Sequence, residues 1–418
     1  MQEPPCQIPA SSGCFGISQC INYNPMQCRH YLECGGCTQQ HLPYEEQLRI
    51  KSRTLKEVFS PILLDDPTIL QPIIPSPLAW RYRNKMEFSF SQDKAGCTFL
   101  GLMKRQGRVV DLEECHLVSS WYLKVLQGVR EWWQQSGLEA YHWKKDTGSL
   151  RTLTLREGVR TGEKLIMLTI SGNPDYALRK KDIEQFVKCI AAIFPANETV
   201  SLFLRIQQIQ KKRPTQFYEW HLAGPDHIWE RLHIGSKDYH FRMSPSSFFQ
   251  PNPLAAEKIY EAAHALIPQF KTHILDLYAG SGALSLIFAE RAHRITAVEI
   301  NPYAIFDAEE NLRKNDIANV SLHLGDVNTL LPECASSWEV IPDLVIVDPP
   351  RSGLNERMLD MLLHLRPKEI LYISCNPATQ SPNLQTLASG YQVIALQPID
   401  QFPHTSHIEN IALLRACQ

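Results

Sequence analysis

Cys375 is the side chain whose placement most invites chemistry. It follows the apolar, β-favouring run Ile370-Leu-Tyr-Ile373, and Asn376-Pro377 stops the strand behind it. In open α/β sheets ligands gather in the crevice outside the strand carboxyl ends, so a thiol delivered there is a candidate nucleophile. Taken alone, a cysteine at a strand end is more simply a small buried hydrophobe. Its company reverses that reading, with Val347-Asp-Pro-Pro-Arg-Ser-Gly353 upstream and Phe402-Pro-His-Thr-Ser-His-Ile-Glu409 downstream.

A second chemical cluster lies near the N-terminus, in Cys28-Arg-His-Tyr-Leu-Glu-Cys34-Gly-Gly-Cys37. Three thiols converge there, and Gly-Gly lets the backbone turn tightly about a bound metal or cluster. A fourth thiolate is needed, from Cys97 in the turn Lys94-Ala-Gly-Cys97 or from Cys115 in Val110-Asp-Leu-Glu-Glu-Cys-His116. Spacing admits either tetrahedral zinc or an iron–sulfur cluster. Cys6, Cys14 and Cys20 are irregularly spaced in a Pro/Ser/Gly/Asn-rich stretch, residues 1–27, that reads as a poorly ordered tail.

The elements that must position Cys375 begin near residue 236, where strands and helices start to alternate as in a doubly wound parallel α/β sheet. Ile274-Leu-Asp-Leu-Tyr-Ala-Gly-Ser-Gly282 is a strand running into a glycine turn, followed by a helix over residues 283–291. Glu299 ends the next strand about 20 residues on, where an acidic side chain binds a ribose. Asp326 and Asp348 end the third and fourth strands, and residues 391–396 and 408–415 form two closing strands. A glycine turn with a downstream acid also fits a dehydrogenase. The turn lacks the full G-x-G-x-x-G, however, and a final antiparallel pair on a parallel sheet looks like a class I methyltransferase using S-adenosylmethionine.

Ahead of this unit, residues 28–75 form a cysteine-cluster module containing a helix over residues 43–59, whose basic face holds Arg49, Lys51, Arg53 and Lys56. Residues 76–235 read as a central mixed sheet domain. It opens with Trp80-Arg-Tyr-Arg-Asn-Lys85, cations interleaved with aromatics as in surfaces that hold phosphate and stack on unpaired bases, although a hairpin surface gives the same pattern. The chain of 418 residues, 44% hydrophobic, suits two or three packed domains. Its net charge of -2 hides an asymmetry: residues 1–236 carry 29 Lys+Arg against 24 Asp+Glu, and residues 237–418 carry 13 against 20. A basic front half is compatible with phosphate contacts. No transmembrane run or secretory signal is evident, so no membrane partner and a cytoplasmic location are expected, and twelve cysteines are too dilute for a disulfide scaffold.

Together these motifs resemble the RNA uracil-5-methyltransferase family, which makes 5-methyluridine in ribosomal and transfer RNA. The resemblance runs from about Cys28 to the C-terminus, and Tyr82-Arg-Asn-Lys85, Phe248-Phe-Gln-Pro-Asn252, Asp348-Pro-Pro-Arg-Ser-Gly353, Ser374-Cys-Asn-Pro377 and the Phe402 to Glu409 stretch carry it. It implies a Rossmann-like seven-stranded sheet with an antiparallel C-terminal hairpin. It also implies an iron–sulfur quartet of Cys28, Cys34, Cys37 and Cys115 for a [4Fe-4S] cluster, and a S-adenosylmethionine pocket of Gln250, Tyr278, Glu299, Asp326 and Asp348. Cys375 would be the nucleophile and Glu409 the base that removes the carbon 5 proton. A single-stranded or loop uridine flipped into the crevice is the expected substrate, in ribosomal RNA first and transfer RNA as the alternative, acted on by a monomer. Residues 1–27 are too short for the small RNA-binding barrel, the TRAM domain, that many relatives carry before the cluster. Ala279 and Ala283 also stand where many relatives have Cys and a polar residue. The competing readings are a base N-methyltransferase, in which Cys375 is dispensable, and an RNA-binding relative without activity.

Overall fold

The computed structural model describes residues 27–417 apart from 65, 105–106, 211–212 and 336–340, so Cys6, Cys14 and Cys20 lie outside the described residues. Two seven-stranded sheets and a hairpin between them organise those residues. The first sheet comprises β1 (Lys85–Gln92), β2 (Thr98–Met103), β3 (Val109–Asp111), β4 (Leu150–Glu157), β5 (Lys164–Ser171), β6 (Val200–Gln208) and β7 (Gln216–Ala223), ordered β3-β2-β1-β4-β5-β6-β7. Its neighbours are antiparallel except β5 and β6, which are joined by the helix Lys180–Ile193. That helix and the helix Ser120–Ser136 cover one face, burying Trp132, Trp133 and Phe186 against Leu153, Ile166 and Leu204. Strand β7 alternates apolar and polar residues too weakly to read as buried, and the sequence shows only a basic loop before it.

The hairpin is β8 (Ile228–Ile234) with β9 (Lys237–Met243). The domain boundary expected between residues 235 and 236 falls in its tight turn. Ile228, Leu232, Phe241 and Met243 instead pack with Ile274 and Leu344 of the second sheet and with Leu165 and Phe203 of the first, so the hairpin serves as a shared layer.

The second sheet comprises β10 (Lys271–Leu277), β11 (Ala292–Glu299), β12 (Val320–Leu324), β13 (Leu344–Val347), β14 (Glu369–Ser374), β15 (Tyr391–Ile399) and β16 (Glu409–Ala416), ordered β12-β11-β10-β13-β14-β16-β15. The first five are mutually parallel; β16 runs antiparallel to both its neighbours. Strands covered on both faces should be apolar throughout, and Leu344-Val-Ile-Val347 and Ile370-Leu-Tyr-Ile373 are buried at every position. This is the expected class I architecture. Strand order reverses between β10 and β13, which opens the crevice where ligands bind.

The helix Tyr44–Val58 matches its sequence periodicity but not its expected surface role. Leu55 and Phe59 join the core under the second sheet with Val345, Tyr372 and Leu396. Lys51, read as part of a basic outer face, is 1% exposed and forms a 2.7 Å ion pair with Asp400, while Arg53 stays in solvent. Burial holds the Lys51 ammonium below its usual pKa and the Asp400 carboxylate opposes that shift. Lys51 Nζ also donates to Phe402 O at 3.1 Å. Lys51→Met strands Asp400 without its cation, so we expect a loss of about 3 kcal/mol in urea unfolding, against less than about 0.5 kcal/mol for Arg53→Ala.

Candidate active site

Ser374, the last residue of β14, lies opposite Asn410 of β16. One residue further, Cys375 leaves its strand beside Glu409, the first residue of β16. Gln380 ties the two strands together from below, donating to Tyr372 O at 2.9 Å and accepting from Asn410 Nδ2 at 2.8 Å. Two residues 34 positions apart are thereby set side by side at the crevice floor. Cys375 is half-buried and Glu409 is 4% exposed.

The other strand ends bring the remaining acids to the same crevice. Tyr278 follows β10 with φ 63°, and Gly280 (φ 56°) and Gly282 (φ 78°) complete a left-handed turn that glycine adopts without a Cβ penalty. Glu299 closes that turn: Gly280 N donates to one carboxylate oxygen at 2.9 Å and Asn301 N to the other at 2.7 Å. Asp326 is exposed beyond β12 and accepts from Asn328 N at 2.8 Å. Asp348 leaves β13 next to β14. Gln250 is buried on the loop before the helix Pro253–Leu266, where its Oε1 accepts from Gln401 Nε2 of the loop leading to Glu409 at 2.7 Å. The buried Arg156 holds the loop before it by donating to Ser244 O at 3.3 Å and Ser247 O at 3.1 Å.

Burial pushes Glu409 up to about 8, with Asp348 adding and Arg351 opposing. Asp348 is pushed up to about 7 by burial and then by Asp276. Asp276 is likewise pushed up to about 7, chiefly by burial, with Glu299 adding. The Cys375 thiol is raised by burial and then by Glu409 and Asp348, while Arg351 favours its thiolate. Five carboxyl groups thus gather in one crevice. A cationic ligand with hydrogen-bond donors suits it, and Asp276 Oδ1 is a buried acceptor with no hydrogen-bond partner among the described residues. S-adenosylmethionine, carrying a sulfonium, an ammonium and ribose hydroxyls, matches that demand.

Three participants escaped the sequence reading. Asp276 gave a signal, a charge inside the apolar strand Ile274-Leu-Asp-Leu. Arg351 stood in a quoted motif without a role. Tyr260 gave none: burial raises its hydroxyl, and Asp348, Asp276 and Glu409 add to that.

The cysteine motif also closes on itself. Cys28, Cys34, Cys37 and Cys115 line one enclosed cavity, whereas Cys97 stays exposed in its turn. Gly36 N approaches Cys34 Sγ at 3.4 Å and Gln40 Nε2 approaches Cys37 Sγ at 3.7 Å, donors suited to sulfur carrying negative charge. Burial pushes both Cys37 and Cys115 up to about 12. Among the described residues no group of three or more His, Cys, Asp or Glu is arranged to hold a metal ion.

This module reaches the catalytic loop directly. Thr38 N and Gln39 N both donate to His404 O, at 2.8 and 3.0 Å. Gln47 accepts from His404 N at 2.7 Å and its Nε2 lies 3.1 Å from the ring Nδ1. Trp80 stacks on the His404 ring at 3.7 Å, and Tyr82 OH donates to Pro403 O at 3.1 Å. Of the aromatics in Trp80-Arg-Tyr-Arg-Asn-Lys85, which could stack on bases or belong to a hairpin surface, Tyr82 is buried and the partly exposed Trp80 stacks on His404.

Comparison with known proteins fits this geometry. Residues 198–325 and 337–417 match the family model described as tRNA (Uracil-5-)-methyltransferase. An uncharacterized RNA methyltransferase of Protochlamydia amoebophila is 45% identical over 93% of this chain and 90% of its own length. The chain belongs to the RNA uracil-5-methyltransferase family. A further relative, from Halalkalibacterium halodurans, is 33% identical over 93% of this chain and 82% of its own. Among solved structures, the Pyrococcus abyssi tRNA (uracil-54, C5)-methyltransferase in complex with S-adenosyl-L-homocysteine superposes with a TM-score of 0.68 at 26% identity, covering 91% of this chain and 86% of that one. The protein is accordingly an RNA methyltransferase of the S-adenosylmethionine-dependent class I fold, and no helix among the described residues is long and apolar enough to cross a membrane.

Arg351 is the cation that favours ionisation of both Cys375 and Glu409. Arg351→Ala should raise both pKa values, moving the acid limb of the methyl-transfer pH profile upward and lowering kcat/KM at neutral pH by a few-fold to about tenfold. Arg351→Lys should retain most of the profile. An unshifted profile in the alanine variant removes Arg351 from the chemistry.

Proposed function

We propose that this enzyme methylates carbon 5 of one uridine in RNA through a covalent adduct between Cys375 and carbon 6. The observation that carries this reading is the pairing of Ser374 with Asn410 at the ends of β14 and β16, which sets the next residue, Cys375, near enough to Glu409 for its carboxylate to act on the thiol. Carbon 5 of uracil is a weak nucleophile. Addition of the Cys375 thiolate to carbon 6 converts the carbon 5–carbon 6 double bond into an enolate, which makes carbon 5 nucleophilic. S-adenosylmethionine, held by Gln250, Tyr278, Glu299, Asp326 and Asp348, supplies the methyl group. Glu409 then takes the carbon 5 proton, the double bond re-forms, and the Cys375–carbon 6 bond breaks to return the thiolate. The acidic crevice admits an uncharged base and repels phosphate, so the target uridine must be flipped inward with its backbone outside.

Ribosomal RNA, 23S in particular, is the substrate we favour from the family resemblance of the cysteine module. The likeness to the P. abyssi tRNA enzyme supports transfer RNA as the second reading. The cysteine quartet holds a [4Fe-4S] cluster whose role is structural, since methyl transfer moves no net electrons. Support for it comes from the four thiols around one cavity.

Glu409→Gln should accumulate a denaturation-resistant methylated RNA–protein adduct, seen as a shifted gel band that vanishes in Cys375→Ala. A normally turning-over Cys375→Ala enzyme sinks the mechanism and favours N-methylation. Binding of the cationic donor should also release protons. Asp348 and Glu409, raised to about 7 and about 8, hold part of their protons at pH 7, and a nearby positive charge lowers both pKa values. Calorimetric titration in buffers of different ionisation enthalpy reads the release, which should fade above pH 9 or so. Anaerobic purification should give a brown protein, and Cys115→Ser a colourless one; a colourless wild type containing one zinc replaces the cluster assignment.

A further inference from the structure

The docking route for the rest of the RNA must leave the acidic crevice, and the first sheet offers one. In the β6–β7 pair, Arg205 lies opposite Glu219 and Gln207 opposite Phe217, so these four side chains share one face. That face also carries Phe203, which packs into the core shared with the second sheet, so it is the side turned toward the catalytic unit. Arg205 donates to Glu219 Oε1 at 2.6 Å and to Ser246 Oγ at 2.8 Å. Ser246 belongs to the loop that runs on to Gln250, which bonds Gln401 of the loop leading to Glu409. The Arg205 guanidinium sits 5.4 Å from the centre of the Phe217 ring, yet that ring is 47% exposed.

Tyr218 and Trp220 are equally exposed but point to the other face, where Trp220 borders a groove with Ile183 and Val187 of the helix Lys180–Ile193. Beyond Phe217, Gly172 N donates to Gln207 O and Asn173 Nδ2 to Asp146 O, which brings the exposed loop of Trp143, Lys144 and Lys145 to the same end of the sheet. A half-exposed aromatic ring braced by a cation, continuous with the crevice wall on one side and a lysine-bearing loop on the other, has the composition of a single-strand track.

We propose that the single-stranded RNA flanking the target uridine crosses this face of β6 and β7, with one unpaired base stacked on Phe217. The proposal rests on the uracil-methylation reading above. Arg205 braces the ring, and Lys144 and Lys145 receive phosphates further out. Because every base has a π-face, this contact supplies affinity and register without reading sequence.

The test compares Phe217→Ala, Phe217→Tyr and Trp220→Ala, using the RNA fraction that wild-type enzyme methylates and, for direct binding, fluorescence anisotropy of an oligouridylate. Phe217→Ala should raise the KM for RNA and the oligouridylate Kd roughly tenfold with kcat at saturating RNA retained, because the lost contact binds substrate and transition state alike. S-adenosylhomocysteine binding and thermal unfolding should be unchanged, Phe217→Tyr should restore affinity, and Trp220→Ala should behave as wild type. A Phe217→Ala enzyme with wild-type KM overturns the track while leaving the reaction standing, as does an equal loss in Trp220→Ala. A wild-type enzyme that leaves uridine in every RNA fraction unmethylated overturns the reaction and the track together.

Discussion

The structure depends on how residues 400–408 are held. This loop joins the end of β15 to Glu409, and nothing within it is regular enough to fix the carboxylate against Cys375. It is pinned from outside along its length, by Tyr82 at Pro403 and by Gln250 and Asn252 at Gln401 among others. Lys51 enters the core to meet Asp400 and the Phe402 carbonyl. His404, with φ 66°, is gripped through its backbone by Gln47, Thr38 and Gln39 and through its ring by Trp80. Burial drives the His404 imidazole down to about 4, so it remains a neutral, packed element across the working pH range. The N-terminal cysteine module and helix therefore clamp the loop that carries Glu409, the proposed base, through residues more than 350 positions upstream.

A second constraint is electrostatic. The crevice brings together the buried carboxyls of Asp276, Asp348 and Glu409, whose pKa values burial raises, and burial with the nearby acids leaves the Cys375 thiol reluctant to ionise. Such a site is poorly poised when empty and improves when positive charge arrives. Charge on the methyl donor, with Arg351 at the rim, would favour the thiolate and the carboxylate at the moment both are required. Charge complementarity in this way links donor binding to the readiness of the nucleophile.

Much of this was legible from residue order. The apolar run before Cys375, the glycine turn and the acids closing successive strands place the crevice because parallel strands read as continuous hydrophobic runs. The convergence of four cysteines followed from their motif, although spacing left Cys97 and Cys115 equivalent until the fold put one in an exposed turn. Lys51 was misread because a lysine flanked by Arg49 and Arg53 looks solvated, and its partner Asp400 is remote in sequence. Trp80 and Tyr82 stayed open between RNA and the protein's own surface, since composition cannot tell an aromatic facing RNA from one packed on the loop of Pro403 and His404. The hairpin turn at Gly235 resembled a domain boundary because its strands serve two cores at once.

The order of the last strands carries a consequence for biosynthesis. β16 is made after β15 yet lies between β14 and β15, so β14 gains its second sheet neighbour only when β16 inserts. Until then the edge of β14 beside Cys375 is open, whereas β15 has another partner in residues 70–74, which bridge it at Leu396 and Ile399. Glu409 takes its place only with that insertion. Cys375 thus meets Glu409, its proposed base, in the same pairing that seals the sheet, so the proposed catalytic pair is completed by the last strand of the chain.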